Sequence, residues 1–81
     1  MNGGEILTNN IMFSNLRAEM ARIGITVQDI GKTLGVNRDT ASRKLSGKSA
    51  ITLSDAFVIA KTYFPESDIR YLFQELSIKN Q

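Results

Sequence analysis

With 81 residues, 42% of them hydrophobic, the chain is expected to form one small packed domain. It contains neither cysteine nor histidine, which removes disulfides, thiolate or imidazole metal sites and the commonest catalytic base. The formal charge is only +2, but residues 32–48 hold Lys32, Arg38, Arg43, Lys44 and Lys48 against Asp39, a local excess of +4, whereas residues 49–81 sum to −1.

No apolar run approaches the roughly 20 residues of a membrane helix. The start, Met1-Asn2-Gly3-Gly4-Glu5, lacks the basic flank and apolar stretch of a secretory signal, so a cytoplasmic protein is expected. Residues 1–9 read as a flexible lead and 78–81 as a loose tail, around a domain spanning 10–77.

In chain order, a first helix is predicted from about Asn10 to Ile23, where Phe13, Leu16, Met20 and Ile23 recur at helical spacing. Gly24 ends it. Thr26-Val27-Gln28-Asp29 has the form of a capping box and opens a second helix over roughly Val27–Leu34. Leu34-Gly35-Val36-Asn37 then supplies an apolar anchor, a turn glycine, a second anchor and an N-cap. The third helix covers roughly Arg38–Ser46, with Ala41 and Leu45 inward and Arg38, Asp39, Ser42 and Arg43 on the remaining surface. After Gly47, Thr52-Leu53-Ser54-Asp55 repeats the capping box and starts a fourth helix running to about Tyr63. It is expected to bury Leu53, Ala56, Phe57, Ile59 and Ala60, and must end by Pro65. A fifth helix begins near Ser67 and carries Ile69, Leu72, Phe73 and Leu76. No period-two alternation suggests a sheet, so the fold class is all-α. The aromatic residues Phe13, Phe57, Tyr63, Phe64 and Phe73 are spread over three helices and read as core rather than as base-stacking platforms.

A small basic helix after a tight turn fits the major groove of DNA, where arginine can donate two hydrogen bonds to guanine. The same residues also suit an ordinary solvated face. Resemblance tips the reading. Residues 25–48, ITVQDIGKTLGVNRDTASRKLSGK, resemble the helix-turn-helix of the Cro and lambda-repressor superfamily, the xenobiotic-response-element type. Leu34-Gly35-Val36, Arg38, Thr40, Ser42-Arg43 and Gly47-Lys48 fall where that pattern has them, and ITLSDAFVIAKTYF is similar to the family's fourth helix. The likeness covers about residues 12–74 and is phage-regulator-like. Departures are Val27 in place of a common glutamine, Gly31 in place of a common alanine, a small Ala41, and Lys44 where many members are apolar.

The resemblance implies a five-helix, lambda-repressor-like DNA-binding domain with its helix-turn-helix at helices two and three. It implies base contacts from Arg38, Asp39, Ser42 and Arg43, and phosphate contacts from Thr26, Gln28, Asn37, Thr40, Lys44 and Lys48. The function it implies is a sequence-specific transcriptional regulator, a Cro-like repressor, acting on a double-stranded operator. Two half-sites imply a homodimer, with Tyr71, Leu76 and Ile78 of helix five as the candidate surface. The competing reading is a protein-interaction module, antirepressor or antitoxin-like, that keeps the fold without an operator. No cofactor, metal or small-molecule ligand is expected, and no enzyme: there are no paired carboxylates in an apolar setting and no glycine-rich phosphate loop.

Overall fold

The structure, a computed structural model, describes residues 11–74. They form α1 (Ser14–Ile23), α2 (Val27–Leu34), α3 (Arg38–Ser46), α4 (Leu53–Tyr63) and α5 (Ile69–Leu72), with no strand among the described residues. No helix among them is long and apolar enough to cross a membrane.

The bounds of α2, α3 and α4 fall where the capping residues put them. The Asp29 amide donates to Thr26 Oγ1 at 3.2 Å, and the Thr26 amide donates back to Asp29 Oδ2 at 2.8 Å. Thr52 and Asp55 make the same reciprocal pair at 3.0 and 3.1 Å. Asn37 Oδ1 accepts from the Thr40 amide at 2.8 Å. Each cap satisfies first-turn donors that the helix cannot, and contributes about 1 kcal/mol.

The outer helices begin later than the sequence suggests. α1 begins at Ser14 rather than near Asn10, because the Met12 amide donates to the Leu45 carbonyl at 2.8 Å and Phe13 is extended at φ −87°, ψ 98°. Ile11 and Phe13 are still buried, in a non-helical segment that the Met12 bond ties to the end of α3. α5 begins at Ile69 rather than Ser67, since a turn after Pro65 joins Ser67 N–H to the Phe64 carbonyl and Asp68 then caps the helix. Residues 1–9 and 78–81, with Leu76 and Ile78, lie outside the described residues.

One apolar cluster draws on every helix. Phe13, Leu16, Ile30, Leu45, Ile59 and Leu72 are its largest fully buried side chains. Each contributes about 1.5–3 kcal/mol of transfer free energy. Phe13 and Phe73 meet edge to face, with centroids 5.1 Å apart. Two expected core residues are not in it: Leu53 is 71% and Phe57 54% exposed. The buried stripe of α4 runs through Ala56, Ile59 and Ala60. A rotation of about 100° per residue carries Leu53 and Phe57 off to one flank of that stripe. Ile23, at the end of α1, is also exposed, and Ile25 packs against the core two residues later.

α2 and α3 pack on one another more extensively than any other helix pair. Gly35 takes φ +76°, a left-handed conformation that glycine adopts without strain, and the Val36 amide then donates to the Gly31 carbonyl at 2.9 Å. The reversal presses the turn onto α2. A Cβ added at Gly31 would lie 2.9 Å from the Val36 carbonyl oxygen and 3.3 Å from that of Asn37. Glycine at position 31 is therefore required by the turn, and is more than a lapse in helix propensity.

Polar ties join the remaining helices. Tyr63 at the end of α4 donates its hydroxyl to the Asp29 carbonyl at 3.2 Å, so its 2.6 Å contact with Thr33 is a bond it accepts. Asn15 Nδ2 donates to the Tyr71 carbonyl and to Gln74 Oε1 at 2.8 and 2.9 Å, fastening α1 to α5.

Candidate nucleic-acid interface

The surface of α3 is set by its two buried residues. Ala41 and Leu45 are one turn apart and fully inside. At about 100° per residue, Arg43 and Asp39 then lie on the outermost line of the helix, Arg38 and Ser42 on one flank, Thr40 and Lys44 on the other. Arg38, Asp39 and Arg43 are exposed and Ser42 is half-buried. None of the four has a side-chain hydrogen bond or ion pair among the described residues. Asp39 in the first turn, and Arg43 with Lys44 in the last, have the signs that favour the helix dipole, so part of this charge also stabilises α3 itself.

The flank nearer α4 is different. Lys44 turns inward: its Nζ lies 2.9 Å from Asp55 Oδ2 and donates to the Ala50 carbonyl at 3.2 Å. Its side chain is 18% exposed and that of Asp55 21%. Partial burial pushes the Asp55 carboxyl up. The bond from Lys44 and those from the Thr52 amide and hydroxyl outweigh it, and the group titrates below the usual carboxylate range. Among the cations of residues 32–48, Lys44 is thus neutralised within the fold, while Lys32, Arg38, Arg43 and Lys48 have no ion pair among the described residues. The electropositive character is concentrated outward.

The remaining phosphate candidates divide by how much of each is already engaged. Thr26 spends its amide and its hydroxyl on Asp29, whose carboxyl these bonds hold below its ordinary value. Gln28, exposed in the first turn of α2, has no such engagement among the described residues. Asn37 uses Oδ1 to cap α3, leaving its amide nitrogen as a donor. Thr40 is half-buried beside it. Lys48 is exposed one residue beyond Gly47, and its backbone is anchored by its own amide to the Arg43 carbonyl at 3.0 Å. The structure thus gathers Gln28, Asn37, Arg38, Asp39, Ser42, Arg43 and Lys48 around one helix pair, and withdraws Thr26 and Lys44 into local bonds.

Asp55 was not legible as part of this arrangement. The available signal was the helical wheel: Lys44 sits about 60° from Ala41, at the border of the buried stripe, where an ammonium needs a partner. For the expected dimer surface, Tyr71 is partly exposed, but its hydroxyl donates to Glu19 Oε2 at 3.2 Å. Comparison with protein-family models, with curated proteins and with solved structures gives no match.

Proposed function

We propose that this chain is a sequence-specific double-stranded-DNA-binding transcriptional regulator of the Cro-like repressor kind. In this reading α2, the Gly35 turn and α3 act as a helix-turn-helix, and α3 enters the major groove. The observation that carries it is the outer line and one flank of α3: Arg38, Asp39, Ser42 and Arg43, without side-chain partners among the described residues, lie together on a short helix fixed by Ala41 and Leu45. Arg43 and Arg38 would donate to guanine edges, and Asp39 would accept from a cytosine amino group or orient an arginine. Gln28, Asn37 and Lys48 would hold phosphates and set the register. Operator symmetry would bring two copies together on DNA.

Titration of a labelled generic duplex at two salt concentrations tests the DNA half of this reading. Binding with a dissociation constant of about 10⁻⁴–10⁻⁶ M at physiological salt, tightening steeply as salt falls, is expected. Absence of binding at low salt would remove it.

The second reading is a protein-interaction module. It is favoured by Leu53 and Phe57, which stand one turn apart on the exposed flank of α4. Leu53 also borders, with Ile51, Ala56, Ile69 and Phe73, an open groove of about 260 Å³ between α4 and α5. The two readings separate on the same titration, because this apolar surface would not confer salt-sensitive affinity for a duplex.

A further inference from the structure

We infer that Lys44 is a positioning residue for the α3 surface, not a phosphate contact, and that it acts by clipping the segment between α3 and α4. This rests on the DNA-binding reading for its consequence, but the clip itself is a matter of geometry. One ammonium joins three pieces of chain. It leaves α3 at Lys44, reaches the Ala50 carbonyl in the connecting segment at 3.2 Å, and meets Asp55 Oδ2 in the first turn of α4 at 2.9 Å. That same Oδ2 accepts the Thr52 amide at 3.1 Å, so the cap of α4 and the clip share an atom. The connecting segment begins with Lys48 and Ser49, whose amides both return to the Arg43 carbonyl at 3.0 and 3.1 Å. The clip therefore closes a loop that starts beneath Arg43 and carries Lys48. Two of the three N–H donors of Lys44 are engaged, and with both partners mostly buried, swinging its ammonium out to a phosphate would strand Asp55 in a partly desolvated site, a costly exchange.

The consequence is a separation of roles between two lysines four residues apart. Lys48 supplies charge, and its loss should lower the slope of log affinity against log salt by about one, alike for all sequences. Lys44 supplies geometry, and Lys44→Met should leave that slope unchanged while reducing discrimination between sequences several-fold. Asp55→Asn should reduce discrimination in the same direction, the double variant should lose little more than either single one, and Lys44→Arg should restore most of it.

The probes are the duplex that the unaltered chain enriches from a random-sequence library and a shuffled duplex of the same composition, titrated at several salt concentrations. Amide hydrogen exchange of Ser46–Ile51 is followed in parallel, with circular dichroism to establish that each variant is folded. Faster exchange across this segment in Lys44→Met, with an intact salt slope and lowered discrimination, is the expected outcome. A slope reduced by about one with discrimination intact would make Lys44 a phosphate contact and overturn the proposal. If the unaltered chain binds no duplex, the DNA-binding reading fails by itself. The clip then stands on faster exchange in Lys44→Met and falls on unchanged exchange.

Discussion

Arg43 and Lys48 are close in sequence and are expected to behave differently. Arg43 lies on the outermost line of α3, so Arg43→Ala should cost about 1–3 kcal/mol against the preferred duplex and relax base preference at one position. Lys48→Ala should weaken binding to every duplex similarly. Parallel titrations of both variants against matched and mismatched duplexes check this, and equal losses on all sequences for Arg43→Ala would remove it from the base-reading set. The outward residues of α3 were legible because Ala41 and Leu45, one turn apart between two clear caps, leave a single orientation for a nine-residue helix. The exposure of Leu53 and Phe57 is not legible in the sequence. Apolar identity says that a side chain gains by burial, not that a neighbouring helix is there to bury it. Leu53→Ser should accordingly change unfolding stability by no more than about 0.5 kcal/mol. Ile59→Ala, on the buried stripe of the same helix, should cost about 2–5 kcal/mol in the same urea titration.

Among the elements, the pair α2 and α3 depends on how closely the turn approaches Gly31. Alanine is the better helix former by about 1 kcal/mol, so propensity alone says that Gly31→Ala stabilises the protein. The 2.9 Å approach to the Val36 carbonyl says otherwise, because backbone cannot yield as a flexible side chain can. A net loss of about 1–3 kcal/mol is expected in denaturant unfolding. A variant as stable as the parent would mean that α2 and α3 can part without cost. The limits of α2, α3 and α4 could be read in advance because each starts at a side chain that bonds its own helix, which is local chemistry. Those of α1 and α5 could not. The start of α1 is delayed by a bond from Met12 to Leu45, 33 positions away, and that of α5 by the turn after Pro65. The departure at Gly31 was legible as an oddity and became intelligible only with the turn packed against it.

At the scale of the whole molecule, charge sets how stability depends on pH and would set the proposed binding. Hydrogen bonds hold Asp29, Asp55 and Asp68 below their ordinary titration range, from the Thr26 backbone first for Asp29 and from the Arg70 backbone first for Asp68. For Asp55 they do so against the opposing effect of burial. A carboxyl with a depressed folded value contributes stability above its unfolded value of about 3.9, and that contribution disappears as pH falls through the folded value. Thermal unfolding should therefore be nearly independent of pH between about 5 and 8, since the chain has no histidine to titrate there, and should weaken below about 4. Asp55→Asn should make the acid limb shallower by removing one of the three groups. A marked change in stability between pH 5 and 8 would point to a titrating group outside this set.

Under the proposed function the outward face of α3 would read the sequence of duplex DNA, and selection from a random duplex library at two salt concentrations tests this. The bound fraction would be sequenced after each round. Salt-sensitive retention with enrichment of an inverted repeat is the expected result, and it should disappear in Arg38→Ala/Arg43→Ala while general affinity for DNA persists. Retention without any enriched sequence, or no retention at low salt, would contradict it.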